Sequence, residues 1–168
     1  MIRILRYPAR AARTDLIRPY AEGGTAVQVL GLTAISGPPE KWLIEGHDSF
    51  ASLQAVDSAL SSATRGDAPA DYLPFSASAI AAYRPGLSYR PEEAIRLLPK
   101  ARYINASVYR IRADSSEEFA QLIGARRRAL DSVNLDRPEI AYQVISGDQR
   151  EPTCFCRRWP PSSNWTTR

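Results

Sequence analysis

The sequence predicts an α+β fold in which one strand–helix–strand grammar is used twice. Three observations carry this expectation. Short segments rich in β-branched and aromatic residues alternate with two amphipathic segments of helical period. The segments "TAVQVLGLTAISG" (Thr25 to Gly37) and "EIAYQVISG" (Glu139 to Gly147) both end in Ile-Ser-Gly, about 110 residues apart. The composition, 168 residues with 44% hydrophobic and 24% charged, is that of an ordinary globular chain.

The first unit is expected over residues 1–85. "IRILRYPARAAR" after Met1 lacks the apolar core of a signal peptide. "TDLIRPYAEGGTAVQ" is a poor helix, because Pro19, Gly23 and Gly24 interrupt it. Read one base later, this region permits a Pro-Gly-Arg turn near Ala9 to Ala11, then a helix, then Tyr-Leu-Gly at Val29 to Gly31. A damaged frame is therefore an expectation here too. A strand is expected over Val27 to Ser36. Pro38 and Pro39 turn the chain into a short strand, Trp42 to Glu45. A helix then opens on Asp48 or Ser49 as N-cap and buries Phe50, Leu53, Val56 and Leu60. A strand at Ser78 to Tyr83 closes the unit. Residues 86–100, "GLSYRPEEAIRLLPK", read as a proline-punctuated linker.

The second unit is expected over residues 101–147. A strand runs from Tyr103 to Arg112 and a helix from Ser116 to Val133. Ser115 and Glu118 have capping-box spacing, and Phe119, Leu122, Ile123, Leu130 and Val133 fall on one helical face. Arg126, Arg127 and Arg128 are consecutive, so they spread around the helix as a solvated surface. Asn134 to Pro138 breaks the helix, and a second strand covers Glu139 to Ser146.

The tail, residues 148–168, ends in "EPTCFCRRWPPSSNWTTR" and follows neither period. The genetic code offers an account. Read one base earlier, Phe155-Cys156 forces leucine, Trp159-Pro160 forces alanine, Asn164-Trp165 forces leucine and Trp165-Thr166 forces aspartate. The restored text is an apolar strand followed by a helix. Its forced alanine and aspartate stand six apart, as do Ala51 and Asp57 in "FASLQAVD". The expectation is a frameshift near residues 148–151 and a tail that packs poorly.

Charge and cysteine usage exclude several classes. Arg150, Arg157, Arg158 and Arg168, set against Asp148 and Glu151, supply half of the net charge of +4. The rest of the chain is too nearly neutral to imply a nucleic-acid partner. No apolar run is long enough to span a membrane, and the chain as translated reads as cytoplasmic. Both cysteines lie in the tail, and the sequence holds one histidine, so neither a disulfide framework nor a CxC metal site is expected. No phosphate loop or Ser/His/Asp set is evident, and no cofactor is expected.

"LTAISGPPEKWLIEGHDSFASL", "IAAYRPGLSYRP" and "LPKARYINASVYRIR" together resemble an uncharacterised bacterial family of the dimeric α+β barrel superfamily, which includes antibiotic-biosynthesis-monooxygenase-like and NIPSNAP-like proteins. The resemblance covers residues 28–147 and implies tandem ferredoxin-like βαββαβ units. Against that pattern the second unit is expected to be truncated, with its third strand and second helix replaced by tail and its fourth strand absent. The resemblance also implies a homodimer as one possible assembly.

Site candidates are few. Trp42, Tyr103, Tyr109 and Tyr142 fall on expected strands, and with His47 they form the candidate lining of a pocket for a small apolar or aromatic ligand. The competing reading is ordinary core packing. His47-Asp48 sits at a strand-to-helix turn, where turn structure competes with a catalytic dyad. Arg84, Tyr89 and Arg90 offer an anion site or a packed linker. The expected function is a small-molecule-binding or interaction module with no catalytic residue. The alternative is a cofactor-independent monooxygenase-like enzyme.

Overall fold

The computed structural model describes residues 1–8, 16–22, 24, 26–63, 77–147 and 153–158. The readings placed on Ala9 to Ala11 and on Trp159 to Trp165 lie outside the described residues. The chain divides into two compact units, Met1–Ala81 with Ile145–Asp148, and Ala82–Val144 with Gln149–Arg168.

The first unit is built from β1 (Ile2–Pro8), α1 (Arg18–Glu22), β2 (Gln28–Thr33), β3 (Glu40–Gly46), α2 (Phe50–Ala63) and most of β4 (Ala77–Tyr83), whose last two residues, Ala82 and Tyr83, belong to the second unit. Its strands lie in the order β2-β3-β1-β4, each antiparallel to its neighbour. The element order βαββαβ and this antiparallel sheet are compatible with a ferredoxin-like α+β fold.

β1 carries no strand expectation, yet it pairs on both edges. The reason is register. Leu5 stands opposite Leu43 and Arg3 opposite Glu45, so two of the three odd-numbered positions of β1 meet a complementary side chain on β3. Leu5, Leu43 and Val56 form a buried core with Tyr20 of α1, and Tyr7, Leu16, Val27, Val29 and Leu60 pack around it. Burial of each of these aliphatic side chains contributes about 1.5–3 kcal/mol. The short α1 forms despite Pro19, which sits in its first turn where no N–H is needed. Ser49, of the two N-cap candidates, caps α2: its Oγ accepts from Ser52 N at 3.1 Å. Val56 is buried as expected, but Phe50 is 58% exposed, because it lies at the very start of α2.

The second unit holds α3 (Pro91–Leu97), β5 (Asn105–Arg110), α4 (Ser116–Ser132), β6 (Glu139–Gly147) and β7 (Thr153–Arg158). Residues 86–100, where a linker is expected, carry α3 and a following 3-10 turn, Leu98–Lys100. Pro91 at the first helical position starts α3. The capping box expected at Ser115 and Glu118 does not form. Ser115 closes a 3-10 turn at φ −103°, ψ 13° and makes no side-chain cap bond. Along α4 only Ile123 is buried; Leu122 is 64% and Val133 67% exposed. Ala141 of β6 packs under Leu87, Ile111 and Phe119.

The tail departs from expectation. Thr153–Arg158 forms β7, which lies between β6 and β5 and is antiparallel to both. Among the described residues this unit thus holds three strands, one of them from the tail. Thr, Cys and Phe suit a strand, the six residues contain no Pro or Gly, and strands flank both edges. Period alone does not reveal a strand held on two sides.

Both repeated Ile-Ser-Gly ends need their glycine. Gly37 has φ +81° and Gly147 φ +135°, regions that a Cβ disfavours.

Candidate functional site

The strongest chemical constellation in the molecule is a buried polar network in the first unit. It arises from charged residues on the core-facing side of two paired strands. Arg3 of β1 and Glu45 of β3 are register partners. Arg3 Nε donates to Glu45 Oε2 at 2.6 Å, and Arg3 Nη2 donates to Oε1 at 3.0 Å. Tyr20 of α1 donates its hydroxyl to Glu45 Oε1. His47, just past β3, places Nε2 2.8 Å from Glu45 Oε2. Arg3 Nη1 reaches Asp57 of α2 at 2.5 Å. The Glu45 and His47 side chains are wholly buried, whereas that of Asp57 is half exposed.

Electrostatics follow from this packing. Burial alone would raise the Glu45 carboxyl, but hydrogen bonds from Arg3, Tyr20 and His47 outweigh it and hold the group below the usual carboxylate range. Burial pushes Tyr20 well above an ordinary phenol, and its bond to the Glu45 charge adds to the shift. Burial would lower Arg3, but its bonds to Glu45 and Asp57 win and raise it. Beside an ionised carboxylate, His47 Nε2 is the donor. Ser52 Oγ lies 3.4 Å from Nδ1, yet it also lies 2.9 Å from Ser49 O and donates there. The Ser52 hydroxyl thus serves the first turn of α2 and is no nucleophile paired to a base.

Each oxygen of Glu45 therefore receives two donors. A carboxylate so occupied has little capacity to take a further proton. The arrangement orients and locks three elements, β1, β3 and α1, and anchors α2 through Asp57.

Of the residues expected to line a pocket, Trp42 and His47 belong to the first unit and Tyr103, Tyr109 and Tyr142 to the second. Trp42 and His47 leave β3 on opposite faces. Trp42 Nε1 donates to Glu40 Oε2 at 2.9 Å, and the Arg6 guanidinium lies 5.4 Å from the Trp42 ring centroid while holding Glu40 through two further bonds. His47 faces the buried network. In the second unit, Tyr109 stacks on Phe119 at 5.7 Å, Tyr142 on Tyr83 at 5.9 Å, and Tyr103 lies under Arg102 at 5.4 Å. The segment with Arg84, Tyr89 and Arg90 is packed onto β6. Tyr89 and Glu139 exchange both backbone bonds, Ala141 N donates to Ser88 Oγ, and Arg84 Nε donates to Gln143 at 2.7 Å. Arg90 donates to Asn134 at 2.6 Å, and both residues adopt left-handed backbone. Glu139 is held by Arg126 of α4.

Sequence reading finds His47 but misses Arg3, Tyr20, Glu45 and Asp57. A signal exists for two of them. Arg3 and Glu45 are opposite charges at core-facing positions of apolar strands, and a charge there requires a partner. Tyr20 and Asp57 carry no local mark.

Among the described residues no group of three or more His, Cys, Asp or Glu is placed to hold a metal ion, and no helix is long and apolar enough to cross a membrane. Compared with protein-family models, with curated proteins and with solved structures, the chain matches none.

Proposed function

We propose that the chain is a non-catalytic binding or interaction module built of tandem ferredoxin-like units of the dimeric α+β barrel kind. The repeat reading rests on strand order. β6-β7-β5 repeats the sequence of positions β2-β3-β1, and the Ile-Ser-Gly that ends β6 corresponds to the one that follows β2. In this reading the out-of-frame tail still supplies the third strand.

The observation that carries the functional reading is the saturation of Glu45. It is the best-buried acid in the described chain, it neighbours the histidine, and four donors occupy it. An oxygenase or related enzyme working without a cofactor needs a base free to take a substrate proton. The module reading needs only a surface. The Tyr83–Tyr142 pair in the second unit, half-buried and tilted by 54°, offers stacking faces to a small apolar or aromatic ligand.

The test is a titration of isotope-labelled protein with phenol, indole and naphthol, followed by NMR, alongside oxygen uptake with the same compounds. The proposal expects shifts confined to the neighbourhood of Tyr83 and Tyr142 and no uptake above the protein-free rate. Catalysed oxygen consumption that His47→Ala abolishes would establish the enzyme instead.

A further inference from the structure

We infer that the ligand of the Tyr83–Tyr142 face is an elongated aromatic acid, whose fused rings run across the sheet to Val108 and whose carboxylate meets Arg110. The inference rests on the binding reading above and names its ligand class. Tyr83 and Tyr142 pack with ring centroids 5.9 Å apart, and β6, which carries Tyr142, is followed in the sheet by β7 and then β5. Register fixes what continues the row. Phe155 stands opposite Tyr142 of β6 and opposite Val108 of β5, so Tyr142 and Val108 occupy one line across the sheet. They also share a face. Tyr109 and Ala141 both pack on Phe119 of α4, so their chain neighbours Val108 and Tyr142 point away from that helix. At the two ends of the row, Tyr83 is 36% and Val108 51% exposed.

Length and charge then select the ligand. Tyr142 and Val108 are two strand spacings apart, about 10 Å. A single ring over the tyrosine pair leaves Val108 in water. Three rings fused in line reach both, and the added apolar contact strengthens binding. Among the described residues of β5 and β6, this face holds no acid and one cation, Arg110. Arg110 follows Val108 by two residues, so it lies on the same face about 7 Å further along β5. A guanidinium has five donors, so Arg110 can serve a carboxylate beside the contact it already makes. An acid at the β5 end of the ligand is therefore complementary to the face, whereas a cation there would meet Arg110 with no acid to hold it.

The experiment is an NMR titration of the full chain, labelled at tyrosine rings and valine methyls, with benzoate, 2-anthroate and the neutral 2-anthracenemethanol. Benzoate is expected to shift Tyr83 and Tyr142 alone. Anthroate is expected to shift these and the Val108 methyls, and to bind about tenfold or more tightly than benzoate. Arg110→Gln is expected to weaken anthroate about two- to fivefold and to leave the alcohol unchanged, while Arg110→Lys keeps the preference for the acid. Anthroate that moves the two tyrosines but not Val108 overturns the inference and leaves the binding reading standing. The alcohol binding as tightly as the acid overturns the choice of an acid. Silence of Tyr83 and Tyr142 towards all three compounds overturns the inference and the binding reading together.

Discussion

Arg3 and Glu45 face each other across β1 and β3, and the guanidinium holds the carboxylate through two nitrogens at 2.6 and 3.0 Å. Glu45 is completely buried, and Arg3 nearly so. A buried pair of this kind gives little net stability over an apolar pair, but it is costly to break from one side.

Glu45→Gln should therefore destabilise the chain by about 3–5 kcal/mol, because it leaves the buried Arg3 charge with the half-exposed Asp57 as its remaining anionic partner. Chemical denaturation of the variant and the wild type checks this. Asp57→Asn, at the half-exposed end of the same network, should cost under about 1 kcal/mol.

Stability should fall on the acid side. The folded Glu45 carboxyl is depressed below its unfolded value, so its contribution is complete above the unfolded pKa, about 4.3, and is lost as pH falls through the lower folded value. Melting temperatures from pH 7 down to pH 2 should drop below about pH 4. The Glu45→Gln variant should show a shallower drop.

On the alkaline side the sign reverses. The folded Tyr20 phenol is raised above its unfolded value, so its contribution is complete below about pH 10 and is lost as pH rises beyond it. Tyr20→Phe should flatten that limb. At pH 7 it should cost about 1.5–3 kcal/mol for a hydrogen bond to a charged acceptor.

The two repeat glycines should differ. At Gly37 nothing lies within 4 Å of an added Cβ, so Gly37→Ala meets only the positive-φ cost, about 1–2 kcal/mol. At Gly147 an added Cβ would collide with Ser78 O and Ala79 Cα, which are backbone atoms and cannot swing aside. Gly147→Ala should be the more destabilising of the two by thermal unfolding.

Much of the architecture is legible in the residues. The strands at Trp42, at Ser78 to Tyr83 and at Glu139, and the helices α2 and α4, announce themselves by composition and period. β1 is not legible in that way, because a strand central to its unit is buried on both faces and loses its alternation. β7 is hidden for a related reason: its two neighbours specify it more than its own six residues do. α3 is masked by Pro91 and Pro99, which read as loop punctuation although a proline at a helix start is stabilising. The polar network was half visible. His47 stands out as the lone histidine, whereas Glu45 and Arg3 become informative only once register sets them opposite each other.

The placement of β7 fixes an order of events. β5 and β6 are made first, yet they do not pair with each other; each waits for the strand that follows both. During synthesis α4 forms early from local contacts, while β5 and β6 emerge with open ladders on the edges that β7 later joins. Sheet closure in this unit is thus a late, non-local step, which slows folding and lengthens the time during which two strands seek partners. A ribosome that stalls before Thr153 releases a chain with twice the sticky edge of the finished one. Residues 153–158 thus act as the latch on the time window for misassembly.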